Sequence, residues 1–538
     1  MAGVNRRHFL ASAAGPLLGC DTAREISGGF VGARFERGHV LRAPTLPTDR
    51  VAMQRTRVLI VGGGVAGLAV ARALRLRGMD DFQLLELEDT TGGNSRSTQI
   101  KGVACPLGAH YLPVPGDNAP DVQDLLEELG LRQRRAGRWV MDERHLCHSP
   151  QERLFFNGHW QEGLLPWHEV GAATLEAYRR FEQQVRALSG AAPFHLPMTN
   201  QPLAPVQLAL DAITFESWLA QHQLLEPHLR WYLDYCCRDD YGAGISTVSA
   251  WAGIHYFASR HGFHAPSYEV ARSNEAESAV LTWPEGNAWL TQRLAAPLGE
   301  RVGAGRVVTR VSAGKHGVQV DALNAVTQRH ERWQADHVVM AVPLFIAQRV
   351  VESPPPALNE AVTRMHYAAW MVANVHIDQA LHDRPGAAPS WDNVISTHAP
   401  GAGAEALGYV DAMHQSLQRV PGATVLTCYR ALGIAPAQRQ NLLNAPWTHW
   451  RDVVLSELSV PHPDVRRKAT HIDVMRYGHA MSTPVPGVRS SAALAALRQP
   501  QPKPWQRLHF AHSDLAAYSV FEEAFTLGHR LGLRLQSA

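Results

Sequence analysis

The residues Gly62-Gly63-Gly64-Val65-Ala66-Gly67 carry the strongest chemical signal in the chain. They follow the apolar run Val58-Leu59-Ile60-Val61 and precede a helical pattern at Leu68, Val70, Ala71, Leu74 and Leu76. A strand, a glycine turn and a helix in that order can hold a pyrophosphate. Gly62 permits the tight turn, Gly64 lets the anion approach the backbone, and Gly67, after the small Ala66, lets the helix sit close on the strand. The helix amino terminus then presents N–H groups to the phosphates. A second strand, Phe82-Gln83-Leu84-Leu85, ends at Glu86, where a carboxylate can accept hydrogen bonds from the ribose of an adenosine. The chemistry these residues imply is the binding of an adenine dinucleotide.

Other reactive side chains give weaker signals. Asp239 and Asp240 follow Arg238 and could attract a cationic amine, although a solvated charge cluster is the preferred reading. The 6 cysteines, at 20, 105, 147, 236, 237 and 428, show no paired CxxC spacing, so no metal site is expected. Cys236 and Cys237 are read as thiols packed in an aromatic stretch.

The 538 residues exceed what one core usually serves, and 45% hydrophobic against 19% charged residues describes a globular chain of two associated domains. Lys plus Arg at 51 against Asp plus Glu at 49 leaves no sustained field, which disfavours nucleic acid as a partner. Val122 to Leu131 reads as an amphipathic helix, and Asn157-Gly158 as a hairpin turn. The apolar stretch Tyr241 to Ser259 is broken by Gly242, Gly244 and Gly253, so it reads as buried core rather than a membrane span.

After Glu86 the run Leu87-Glu88-Asp89-Thr90-Thr91-Gly92-Gly93-Asn94-Ser95-Arg96 resembles the flavin-containing amine oxidase superfamily, which includes monoamine, polyamine and amino-acid oxidases. In that family a Gly-Gly-Arg turn covers the FAD pyrophosphate. Gly92 and Gly93 match, Asn94 takes the arginine position, and Arg96 is expected to supply the positive charge to phosphate oxygens. Leu107-Gly108-Ala109-His110-Tyr111 is similar to the segment passing beside the flavin ring. Arg306 to Val311 and Gly317 to Val320 resemble the family's strand pair, with Val308 at the adenine. Leu508 to Asp514 resembles its carboxyl-terminal strand, with Asp514 at the ribityl chain.

The resemblance implies an α/β fold, a Rossmann-like FAD-binding domain interleaved with a mixed α+β substrate domain. The expected pieces are 51–111, 283–343 and 501–538 for the first, and 112–282 and 344–500 for the second. FAD is expected to be non-covalent, since no cysteine sits near Tyr477-Gly478-His479-Ala480. Candidates for the substrate wall are Phe521, Tyr518, His479 and His110, the two histidines being candidate acids or bases near neutrality. The family's amine oxidases often carry a lysine on the strand aligned with Trp370 to His376. Here Ala373 or Asn374 is read in that place, which leaves both dioxygen and another carrier open as electron acceptor.

The amino terminus reads as an address. Asn5-Arg6-Arg7-His8-Phe9-Leu10 before a short apolar run resembles a twin-arginine signal, and Leu17-Leu18-Gly19-Cys20 a lipobox. Residues 1–20 are thus expected to engage the twin-arginine export machinery and 21–50 to be a tether. Cys20 would carry a lipid that holds the protein on the periplasmic face of the inner membrane. The expected activity is FAD-dependent oxidation of an amine or related small molecule. The alternatives are a carotenoid-like desaturase or isomerase, and a non-catalytic flavin-binding lipoprotein.

Overall fold

Val58, Leu59 and Ile60 have no exposed surface, which is what a central parallel strand covered on both faces requires. In the computed structural model, which describes residues 25–44, 51–198, 201–266, 279–396, 405–416 and 422–535, they lie in the strand Met53–Val61. That strand pairs in parallel with Phe82–Leu85 on one side and with Arg329–Met340 on the other.

Arg329–Met340 explains how distant parts of the chain meet. Its first half pairs antiparallel with Gly317–Asn324, and its last residues pair in parallel with Leu508–Phe510, matching Val338 to Leu508 and Met340 to Phe510. With Arg306–Gly314 and Val302–Gly303 these strands make a seven-stranded sheet. Because the neighbours Leu85, Val61, Met340 and Phe510 all end at one edge, the loops that follow them emerge side by side there. That edge is where open α/β sheets bind ligands. Gly62 turns the first loop at φ +105°, and the helix Val65–Leu76 then packs its Ala66 to Leu74 stretch against the sheet.

A second, eight-stranded mixed sheet runs in the order Ser27–Val31, Ala469–Ser482, Tyr367–Ile377, Thr424–Gly433, Ala406–Asp411, Asp392–Ile395, Glu152–Phe156, His159–Glu162. Every residue of Tyr367–Ile377 is buried. The helices Ala172–Ala191, Pro227–Tyr241 and Ala250–Ala258 contribute an aromatic core that includes Tyr178, Phe181, Tyr241 and Trp251.

Asn157 and Gly158, both at positive φ, join Glu152–Phe156 to His159–Glu162 as a hairpin. The helix expected over Val122 to Leu131 spans Pro120–Glu128, ending before Gly130 adopts φ +74°. Tyr241 to Ser259 is core, with Trp251 and His255 buried. None of the described helices is long and apolar enough to cross a membrane.

The tether reading of 21–50 needs correction where it is described. Ser27–Val31 adds a parallel strand beside Ala469–Ser482, and Leu41 is 5% exposed in the core of the seven-stranded sheet. The Arg37 guanidinium donates to the Leu87 carbonyl at 2.9 Å, which fixes this segment to the loop after Glu86. Its scattered apolar residues bury through tertiary pairing, which no local period reveals. The export signal at 1–20 lies outside the described residues.

Candidate active site

A cavity of about 360 Å³ runs along the carboxyl edge of the seven-stranded sheet. Gly62, Gly64, Ala66 and Glu86 line it, as do Gly92, Gly93, Asn94, Ala109, Val308 and Asp514. Val308 and Leu41 belong to the apolar core beside Glu86, whereas His479, Ser519 and Phe521 lie with Asp514.

The glycines do different work. A methyl on Gly67 would sit 1.9 Å from the Gly62 carbonyl oxygen, so Gly67 sets the helix against the turn. A methyl on Gly93 would lie 3.2 Å from the Gly64 Cα, so the two glycine loops leave a backbone-walled cleft that side chains would fill. Gly64 caps the helix Val65–Leu76 without any side-chain hydrogen bond, which leaves first-turn N–H groups facing that cleft. Glu86 accepts from the Gly63 N–H at 2.7 Å and the Glu88 N–H at 2.8 Å. Burial raises its carboxyl while those two bonds oppose the rise. A carboxylate has acceptor capacity beyond two bonds, so Glu86 can still meet a ribose hydroxyl.

Asp514 is 1% exposed and accepts from the Leu344 N–H at 2.9 Å and the Tyr367 hydroxyl at 2.6 Å. Burial pushes its carboxyl up, but the His512 charge and these hydrogen bonds hold it below the usual carboxylate value. This donor set, an N–H-rich cleft between a ribose acceptor and a carboxylate, fits the dinucleotide named above.

Arg96 departs from expectation. Its Nε donates to the Gly93 carbonyl at 3.0 Å and its Nη1 to the Gly32 carbonyl at 3.3 Å, with Glu88 at 3.7 Å. It is not among the residues lining the cavity, and in this arrangement its bonds brace the Gly92–Asn94 turn. Asn94 lines both cavities and donates from Nδ2 to the Ala480 carbonyl at 2.6 Å.

A second cavity, of about 160 Å³, shares Asn94, Ala109, Ala480, Ser519, Val520 and Phe521 with the first. Gly108, His110, Tyr429 and Tyr477 line it. Three neighbouring strands of the eight-stranded sheet pin the backbone at its mouth. Asn374 donates to the Pro106 carbonyl at 2.9 Å, Tyr477 to Leu107 at 2.8 Å and Tyr429 to Gly108 at 3.1 Å. Neither Ala373 nor Asn374 lines the cavity: Asn374 is a backbone clamp, and Trp370, four residues earlier on the same face of that strand, is the residue that does.

Of the four wall candidates, Phe521 borders both cavities, His110 the second and His479 the first. Tyr518 borders neither. Its ring lies among Tyr241, Trp251 and His255, and its hydroxyl donates to Glu523 at 2.5 Å. His110 stacks on Tyr429 at 4.4 Å, and burial lowers it to about 3, while burial and then Arg439 lower His479 to about 4. Both rings are neutral at pH 7, so neither titrates near neutrality as the sequence reading expected.

The groups that do are acids. Burial, then the Asp240 charge, raises Asp239 to about 7, and burial raises Glu522 to about 7. Asp239, Asp240 and Glu522 all line the second cavity with Arg260, which replaces the solvated cluster expected at 239–240. Glu522, Tyr429 and Tyr477 were not singled out as site residues from the sequence, because their partners lie on strands and helices far away in the chain. The one legible hint for Glu522 was its place beside Phe521.

A model of the flavin containing amine oxidoreductase family matches residues 65–530. Amine oxidase [flavin-containing] B of Bos taurus is 25% identical over 343 residues, 63% of this chain and 58% of that protein. The putative flavin-containing monoamine oxidase AofH of Mycobacterium tuberculosis is 27% identical over 376 residues, 66% of this chain and 74% of that one. The chain thus spans little more than half of the bovine protein's length. Among solved structures, putrescine oxidase bound to putrescine superposes with a TM-score of 0.65 at 17% identity, covering 90% of this chain and 100% of that one, a likeness of fold. The dinucleotide cleft, the mixed sheet behind it and a match over most of the sequence converge: the chain belongs to the flavin containing amine oxidoreductase family.

Proposed function

We propose that the protein oxidises a small amine, with FAD held non-covalently in the long cavity by Gly62, Gly64, Ala66, Glu86, Gly92, Gly93, Val308 and Asp514. Bound there, FAD supplies the acceptor for a hydride equivalent leaving a carbon that bears nitrogen. The observation that carries this reading is the shared wall at Asn94, Ala109, Ala480 and Phe521, beyond which the second cavity is lined by acids. His110, Tyr429 and Trp370 shape that cavity and exclude water from it. The Glu522 carboxyl, raised to about 7 by burial and adjoining Phe521, takes the proton an ammonium must shed before its carbon can give up hydride.

The domain division follows the sheets. The pieces 51–111, 283–343 and 501–538 hold the cofactor, while 112–282 and 344–500 enclose the substrate. Export through the twin-arginine machinery and lipidation at Cys20 complete the reading and place the protein at the periplasmic face of the inner membrane, with electrons leaving to dioxygen or a carrier there. Cys20→Ala is expected to release the protein from washed membranes.

The test is to release and identify the cofactor, then to mix the purified holoprotein anaerobically with a panel of amines. Loss of the oxidised flavin spectrum with an amine supports the proposal. Loss only with a polyene or fatty acid favours the desaturase or isomerase alternative, and reduction by dithionite alone favours a non-catalytic flavoprotein.

A further inference from the structure

Three carboxylates, Asp239, Asp240 and Glu522, face one guanidinium, Arg260, in the second cavity. Arg260 is already committed, donating to Asp240 Oδ1 at 2.9 Å and to the Tyr256 carbonyl at 2.8 Å. Asp240 is 7% exposed and its Oδ2 has no hydrogen-bond partner; Asn287 is 2% exposed and its Oδ1 has none either. Both residues line the cavity, so two buried acceptors there lack donors. Unsatisfied acceptors beside carboxylates call for a ligand that donates hydrogen bonds and carries positive charge.

The acidic lining continues beyond the cavity. Trp391 packs on His110 at 5.4 Å and on Tyr111 at 5.9 Å, and the next residue is Asp392. Asp392 is the register partner of Glu152 on the adjacent strand, so both side chains leave the same face of the sheet. Burial, with Asp239 and Glu152 as neighbours, raises Asp392 well above the usual carboxylate value, and burial raises Glu152 to about 7. Asp239, Asp392 and Glu152 thus form a connected row of acids, each destabilised by burial; the Arg260 charge opposes the rise at Asp239 alone, and among the described residues no ion pair joins a cation to any of the three.

We propose that the substrate is an elongated amine bearing a second ammonium group, a diamine or longer polyamine, whose non-reacting ammonium is held by Asp239 and Asp392. This rests on the amine reading above and adds the substrate class. Asp239 is a specificity residue; Glu522, beside Phe521, serves the reacting end. An amino acid is the poorer fit, since its carboxylate would meet the same acids and a guanidinium already bonded.

The experiment compares diaminobutane, n-butylamine and norvaline as anaerobic reductants of the holoprotein, followed by flavin absorbance. Diaminobutane is expected to half-saturate at a concentration roughly tenfold or more below n-butylamine, the difference made by one ionic hydrogen bond. In Asp239→Asn, and in Asp392→Asn as an independent variant, the diamine-to-monoamine ratio of kcat/KM should fall at least about tenfold, mainly through KM. A second readout needs no turnover: 2,5-diamino-2,5-dimethylhexane, whose ammonium groups donate hydrogen bonds but whose nitrogen-bearing carbons carry no hydrogen to lose, should raise the thermal midpoint of the holoprotein more than tert-butylamine does, and the gap should close in both variants. Equal or better use of n-butylamine, preference for norvaline, or equal loss with both amines in the variants would overturn the proposal. If no amine reduces the flavin, the amine reading falls by itself, while the thermal comparison of the non-oxidisable diamine with tert-butylamine still decides whether the acidic row reads a second ammonium.

Discussion

Gly528 offers the sharpest test of how the two ends of the chain build one cofactor site. The helix Phe521–Leu535 crosses Val65–Leu76 so closely that a methyl on Gly528 would lie 2.1 Å from the Ala66 carbonyl oxygen. Four residues on, a methyl on Gly532 would lie 2.6 Å from Ala73 Cβ. A carbon and a carbonyl oxygen rest at about 3.3 Å, so Gly528→Ala must part the helices by roughly 1 Å. Both helices are constrained: Ala66 stands in the first turn facing the cleft, and Phe521, at the other helix's start, borders both cavities. Overpacking of this kind costs about 1–3 kcal/mol. If binding FAD requires the close crossing, the same energy appears as an increase of roughly 5- to 150-fold in Kd. The assay is the flavin-to-protein ratio after gel filtration, followed by titration of the apoprotein with FAD. Gly190→Ala is the control, since a methyl there meets nothing within 4 Å and alanine favours the helix. Native flavin content and unchanged Kd in Gly528→Ala would refute the claim that this crossing sets the cleft.

Three further outcomes are expected. Asp239 is raised to about 7 from 3.8, so the folded state binds more protons than the unfolded state across that window and loses stability as pH rises through it. Asp239→Asn removes this loss, so its thermal midpoint should exceed the parent's at pH 8 and match it near pH 4; the same offset at both values would sink the argument. Asp514→Ala leaves the Leu344 N–H and the Tyr367 hydroxyl buried without an acceptor, roughly 1–3 kcal/mol each, and should yield colourless protein with a lowered urea midpoint. Leu41→Ala should destabilise by about 2–5 kcal/mol in urea titration, because that side chain is core; a shift below about 0.5 kcal/mol would restore the tether reading of its segment.

The dinucleotide cleft was legible in the sequence because its determinants are local. A buried strand, three glycines, a helix and a carboxylate fall within about thirty residues, and each acts on its near neighbours in the chain. The bonds of Arg96 were not legible although it lies in the same region, since its guanidinium meets the Gly32 carbonyl from a segment whose own pairing partner is the strand Ala469–Ser482. Tyr518 was misread because a residue three positions from Phe521 sits on another side of the turn and helix start, and only packing against Trp251 and Tyr241 shows it to be core.

By itself, then, the sequence determined the strand-turn-helix that can grip a pyrophosphate, the acid at the ribose, and the family to which these blocks are similar. The tertiary structure alone decided the second cavity: that Asp239, Asp240 and Glu522 meet there, that His110 in its wall stays neutral, and that Trp370 lines it while Asn374, on the same face of the strand, clamps the Pro106 carbonyl. The physical reason is one of range. Backbone conformation and helix termini answer to adjacent residues, whereas burial, and with it the charge state of an acid or an imidazole, is set by whatever distant parts of the chain close over it.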